Sequence, residues 1–159
     1  MGRFNLRVYA LIINELGEIL LSDECRFGTF FTKFPGGGVE HGEGIKDALF
    51  RELQEELELE CTAADFFYVN EFHQLSAFDQ SNLVAFYYLV KLKRAALPFD
   101  ETYTIPFTAE QEKQRWVPLL ELEASALTFP IDRIVLEKLK ESDGARFSIS
   151  WNWQQPLNL

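Results

Sequence analysis

Glu52, Glu55 and Glu56 are the residues of this 159-residue chain that most invite a chemical reading. Their spacing is i, i+3 and i+4. On a helix of about 100° per residue they fall within roughly a third of a turn. Like charges so placed cost a few tenths of a kcal/mol per pair even when exposed. Glu58 and Glu60 add charge near the end of the same segment, where the helix dipole disfavours anions. Two readings are open: the face is solvated, or a cation fills it. Carboxylate oxygens from two or three side chains suit a hard divalent ion such as Mg2+ or Mn2+. Arg51 stands beside the cluster and fits both readings.

Upstream, Gly36, Gly37 and Gly38 permit backbone angles that a Cβ forbids. They leave room for a carbonyl to face a metal or for a substrate to approach the main chain. The plainer alternative is a tight turn between a strand and a helix.

Several elements must position these residues. "NLRVYALIIN" reads as a strand, Asn14 to Glu18 as a turn, "EILLSD" as a returning strand, and "FGTFFTKF" as a third that Pro35 stops. From Gly44 to Leu57 the pattern is helical, with Leu49, Phe50, Leu53 and Leu57 on one apolar face. "DFFYVNEFHQL" and "NLVAFYYLVKLK" read as two long strands about a turn at Asp79 to Asn82. Leu97 to Ala109 reads as a loop, "QRWVPL" as a short strand, and Leu119 to Glu123 as a helical turn. Pro130 to Ser142 reads as a helix that begins on its proline. A tail follows, with a strand expected over Phe147 to Trp151. No repeat or linker interrupts the chain, which suits one α+β domain with a mixed sheet.

Composition narrows the function classes. The net charge of -10 disfavours a broad nucleic-acid surface. An anionic ligand would then need a cation to mediate. Cys25 and Cys61 are too few for a disulfide framework, and buried, idle thiols are expected. The first residues lack the pattern of a signal peptide, position 6 is Leu where a myristoylation signal has Ser or Thr, and no segment is long enough to span a membrane. A cytoplasmic protein is expected. Hydrophobic residues at 47% suffice for a core, and the fifteen phenylalanines are read first as packing.

In order, Gly37, five residues, Glu43, seven residues, Arg51-Glu52-Leu53, Gln54, Glu55-Glu56-Leu57, Glu58 and Leu59 resemble the Nudix box, G-x5-E-x7-R-E-U-x-E-E-x-G-U, where U is a bulky aliphatic residue. One position departs: Glu58 stands where the family has its second glycine. That puts the helix C-cap in question rather than the metal chemistry. The box covers 23 residues, and the order of elements around it also looks like the Nudix fold.

The resemblance implies a single Nudix hydrolase domain over residues 1–159, an α+β, Nudix-like α/β/α sandwich with a mixed central sheet. It implies hydrolysis of a nucleoside diphosphate linked to another moiety, with Mg2+ or Mn2+ as cofactor. By position, Glu52 and Glu56 are the main metal ligands, with Glu55 close behind and the carbonyl of Gly36 joining them. Arg51 would orient the glutamates. Glu43 is a holder of Arg51 or of a water, or an acid placed by the helix dipole. A further glutamate is expected before "RWVPL"; of Glu101, Glu110 and Glu112, Glu110 is favoured, and Glu52 stays open as the base. Gly37, Gly38 and Lys33 are candidates to meet substrate. His41 is read as surface and His73 as a satisfied strand histidine. Phe27, Phe30 and Phe78 are candidates to stack on a base, with core packing the first reading for each. Trp151 and Trp153 could cover a pocket or a dimer interface. The expected partner is a small nucleotide-type molecule, with no nucleic acid and no membrane, and a homodimer is left open. A rival reading is a non-catalytic Nudix-fold nucleotide-binding module; the retained carboxylates argue against it.

Overall fold

The computed structural model describes residues 2–143, so the expectations for Phe147 to Trp151 and for Trp151 and Trp153 lie outside the described residues. The elements run β1 (Phe4–Ile13), β2 (Glu18–Arg26), β3 (Thr29–Lys33), β4 (Gly36–Gly38), α1 (Ile45–Leu57), β5 (Asp65–Val69), β6 (Asn82–Lys91), β7 (Gln111–Pro118) and α2 (Pro130–Asp143). The fold class is α+β, a mixed sheet with two helices. Two compact units divide the chain: one runs up to Leu11 and takes in Pro35–Val90, and the other holds Ile12–Phe34 and the described residues from Lys91.

In the first unit, β6 lies between β1 and β5, and β4 pairs antiparallel with β1. The glycines, for which a tight turn was the plainer alternative, form a short strand, with Tyr9 opposite Gly36, Val8 opposite Gly37 and Arg7 opposite Gly38. Two further bonds extend this pairing: the Ala10 N–H donates to Pro35 O at 2.8 Å and the Val39 N–H to Leu6 O at 2.8 Å. Gly36 has φ 138°, and a Cβ there would stand 2.2 Å from Val8 O, so no other residue fits this close approach.

Helix α1 opens at Gly44 and buries Ala48, Leu49, Leu53 and Leu57, while Phe50 is only half-buried. The stripe at helix spacing is what packs the helix and turns the opposite face outward. Strand β5 stops at Val69, short of the strand expected to run to Leu75. Buried Asn70 explains this. Its Nδ2 donates to Phe72 O at 3.0 Å and to Leu83 O at 3.1 Å, and its Oδ1 accepts the Ala85 N–H at 2.8 Å. A side-chain amide thus takes over the partners that a longer β5 would have used. The turn follows at 77–79, slightly before the position expected.

In the second unit, β2 pairs antiparallel with β3 and with β7, and Ile19 pairs with Ile13 of β1. Strand β7 begins at Gln111, earlier than the short strand expected. The β2–β3 hairpin turns through Phe27 and Gly28, with φ 52° and 73°. Positive φ at both positions suits the right-handed twist of the flanking strands. The turn leaves Phe27 85% exposed, so the core packing expected for it does not hold. The helical turn expected over Leu119 to Glu123 is a single one closed on Pro118 O, which accepts the Glu121 and Leu122 N–H groups at 3.1 Å, and a 3-10 turn follows at Ala124–Ala126. Helix α2 starts on Pro130, as expected, and buries Ile131, Val135, Leu136 and Leu139. Both cysteines are free and buried.

Candidate active site

Within the first unit, α1 and β4 bring the glycine run and the acidic helix together. Arg51 is the centre of the arrangement. Its Nη2 and Nε donate to the two oxygens of Glu43 at 2.7 and 3.0 Å, and Nη2 also donates to Gly38 O at 2.9 Å. Its Nη1 donates to Glu52 at 3.0 Å and to Glu55 at 3.3 Å. A planar fork can do this and an ammonium cannot. The hydrogen bonds to Glu43 and Glu52 raise the Arg51 pKa above its already high ordinary value. In return, Arg51, together with the Glu40 N–H, holds the Glu43 carboxyl below the usual carboxylate range. Of the alternatives open for Glu43, the geometry shows a holder of Arg51.

The three box glutamates are placed differently. Glu56 is half-buried, and its Oε2 accepts the Gly36 N–H at 3.0 Å. Glu52 is half-buried, with its carboxylate over Gly37: a Cβ on Gly37 would lie 2.4 Å from Glu52 Cδ and Oε1. Glu55 faces solvent and reaches back only to Arg51. Among the described residues, no three His, Cys, Asp or Glu side chains converge as a ready-made cage. The donors nevertheless fit a hard divalent cation: they are anionic oxygens, two are half-buried on one helical turn, and the bare Gly37 leaves the cradle that Glu52 occupies.

Arg7 carries no motif and was missed by sequence reasoning. It lies on β1 opposite Gly38, and the charges of Glu52 and Glu56 act on it. Burial alone would lower its pKa, but Tyr9, Glu52 and Glu56 together raise it. Its signal in the sequence was a lone cation at the start of an apolar strand, which is weak.

Lys33 and the loop acids belong to the second unit. Lys33 is 3% exposed and stands 3.9 Å from both Glu24 and Glu112. Of the three loop acids, Glu112 is the one drawn inward: Ser22 donates its hydroxyl to it, and Gln114 Nε2 donates at 3.3 Å. Glu110 is exposed and accepts the Phe27 N–H at 3.0 Å, and Glu101 pairs with Lys113 at 3.0 Å. Glu112 lies within β7, opposite Glu24 of β2, whereas Glu110 precedes the strand, and where β7 begins was not readable from the loop's composition. Beside these acids, Asp23 is fully buried. It accepts hydrogen bonds from Thr32 Oγ1 at 2.5 Å, Tyr103 Oη at 2.8 Å and Arg115 Nε at 2.6 Å. Burial, with Asp23 alongside, pushes the Tyr103 pKa well up.

The remaining candidates are peripheral. His41 is exposed, as expected. His73 is exposed beyond the end of β5 rather than satisfied within a strand. Phe78 is exposed, which overturns its core reading, and Phe30 is half-buried edge-on to Phe107, with ring centroids 4.9 Å apart.

Known proteins resemble this chain over part of its sequence and in its fold. RNA pyrophosphohydrolases from Shewanella frigidimarina and Shewanella sediminis are 38% and 41% identical over 56 residues, 35% of this chain and 31% of each relative. The chain thus spans about a third of the length of the curated relatives it matches. The solution structure of the E. coli ORF135 protein aligns with a TM-score of 0.66 at 22% identity, over 91% of this chain and 94% of that one. The MutT protein from Methanosarcina mazei Go1 aligns with a TM-score of 0.64 at 23% identity, over 89% and 96%. At such identities the likeness is one of fold. The NUDIX domain model matches residues 3–139, and the chain belongs to that family.

Proposed function

We propose that this protein is a divalent-metal-dependent pyrophosphohydrolase that cleaves the pyrophosphate bond of a nucleoside diphosphate linked to another moiety. The observation that carries this is the seating of Glu52 against bare Gly37 and of Glu56 on the Gly36 N–H, with Arg51 fixing Glu52 from the side. The segment matched by the RNA pyrophosphohydrolases, and the family match over residues 3–139, support pyrophosphate as the bond. The same match runs through both units and supports reading the chain as one domain.

Glu52, Glu55 and Glu56, with the carbonyl of Gly36, would hold Mg2+ or Mn2+. When bound, the ion supplies charge neutralisation of the phosphates and a more acidic water. Such a cation is needed, because a diphosphate meets a chain of net charge -10. Arg51 keeps Glu52 in one rotamer by a charge-assisted hydrogen bond, and Glu43 keeps Arg51 in place. Gly37, with Glu52 seated on it, and Gly38, whose carbonyl accepts from Arg51, are the glycines the substrate would approach. Glu52 is the base this unit itself offers. Glu110 and Lys33, in the second unit, are candidates for substitution tests. Cytoplasmic location is in line with the two free, buried thiols.

The test is product release from nucleoside triphosphates, nucleotide sugars, ADP-ribose and dinucleoside polyphosphates, each with Mg2+ or Mn2+, comparing wild type with Glu56→Gln. Turnover by the wild type that collapses in the variant is expected. No turnover on any substrate, together with equal Mn2+ affinity in the two proteins, would end the proposal.

A further inference from the structure

We propose that Arg7 is a substrate-positioning residue that receives a phosphate oxygen of the diphosphate; the inference rests on the pyrophosphohydrolase reading. Two arginines approach Gly38. Arg51 gives its donors to Glu43, Glu52, Glu55 and Gly38 O. Arg7 does not. Its Nε donates to Tyr9 Oη at 3.1 Å, its guanidinium lies 5.8 Å from the centre of the Tyr9 ring, and among the described residues its two terminal nitrogens donate to no carboxylate. Yet it is half-buried, and it feels the charges of Glu52 and Glu56. Its Nη1 stands 3.7 Å from where a Cβ on Gly38 would project, so the side chain runs along the glycine strand rather than into bulk solvent.

The guanidinium is also held in place. Tyr9 is buried and packs on buried Tyr87, with ring centroids 5.4 Å apart, so the hydroxyl that accepts from Nε is fixed. A guanidinium anchored through Nε presents its outer two nitrogens as a fork, the geometry that matches a phosphate or a carboxylate. The nearby carboxylates, Glu52 and Glu56, are already engaged by Arg51 and by Gly36 N–H respectively. Of the anions the proposed reaction brings here, a phosphate group of the substrate is the partner that such a fork fits.

The experiment compares wild type, Arg7→Gln and Arg7→Lys in two readouts. One is steady-state kinetics on the best substrate of the panel. The other is the affinity for inorganic pyrophosphate with Mg2+, measured by calorimetry, with circular-dichroism melts confirming that each variant folds. Expected are a KM raised about 10- to 100-fold in Arg7→Gln, kcat changed far less, a parallel loss of pyrophosphate affinity, and partial recovery in Arg7→Lys. A merely structural role would instead lower kcat and melting temperature while leaving pyrophosphate affinity within twofold, and that result would overturn the proposal. If the wild type turns over but Arg7→Gln keeps its KM, the inference about Arg7 falls alone. If the wild type neither turns over nor binds pyrophosphate, the inference falls together with the pyrophosphohydrolase reading.

Discussion

The Glu52 carboxylate occupies the space that a side chain at position 37 would need: a Cβ there would lie 2.4 Å from Glu52 Oε1 and 2.6 Å from Oε2. At Gly36 the obstacle is different, since its Cβ would meet the Val8 carbonyl at 2.2 Å with φ already at 138°. A carboxylate can swing aside and a paired backbone carbonyl cannot. Gly36→Ala should therefore cost about 2–4 kcal/mol of stability, from strain and overpacking together. Gly37→Ala should cost under about 1 kcal/mol of stability but displace Glu52 and reduce activity about 10-fold or more. Urea midpoints and turnover of both variants decide this; a Gly37→Ala protein that is badly destabilised yet fully active per folded molecule would contradict it.

Arg51→Lys keeps the charge and loses the fork. An ammonium cannot serve Glu43, Glu52 and Gly38 O together at the distances the guanidinium spans. Residues that hold ligands in place typically contribute 10- to 100-fold in affinity or activity, and a kcat/KM loss of about that size is expected. The check is kcat/KM at saturating Mg2+ alongside the melting temperature. A lysine variant within twofold of wild type would show that the network merely neutralises charge.

The glutamate spacing, the helix and most strands were legible because each is a local pattern: an apolar stripe, a run of β-branched residues, a proline at a helix start. Pairing partners were not. Gly36–Gly38 offered a tight turn as its plainer reading because glycine carries no strand signal, and only the register with Arg7, Val8 and Tyr9 makes it β4. Lys33 was legible as a candidate to meet substrate and Glu112 as one of three candidate acids, but their meeting depends on β2 lying between β3 and β7. Arg7 became visible only through its place opposite Gly38.

Glu58 stands at the C-cap with φ 54° and ψ 28°, and its N–H donates to Gln54 O at 3.1 Å. The missing box glycine has thus left the left-handed cap in place, with a side chain that disfavours it. A non-glycine residue there costs about 1–2 kcal/mol, and a carboxylate at a helix C-terminus adds an unfavourable dipole interaction. Glycine's extra freedom in the unfolded chain cancels about 0.5–1 kcal/mol of the gain. Glu58→Gly should raise stability by about 1 kcal/mol, or roughly 2–4 °C in melting temperature for a chain of this size. A lower melting temperature would mean that the Glu58 side chain contributes something the cap geometry does not reveal.

Asp79 supplies a pH dependence far from the glutamates. It accepts from Ser81 Oγ at 2.5 Å, from the Ser81 N–H at 3.1 Å and from Arg3 Nη2 at 2.5 Å. The Ser81 bonds foremost, with Arg3 and Ser76 assisting, hold its carboxyl well below the ordinary value of 3.8. A folded-state pKa below the unfolded one means that the ionised form binds better in the native turn. That contribution is fully present above the unfolded pKa and fades as pH falls towards the folded one. Asp79→Asn should therefore be less stable than wild type by a constant margin from pH 7 down to about pH 5, and the margin should shrink below about pH 4. Urea midpoints of the two proteins across that range test the sign. A gap that widens on acidification would mean that Asp79 is held in its protonated form, and that the turn from Ser76 to Ser81 is not built on its charge.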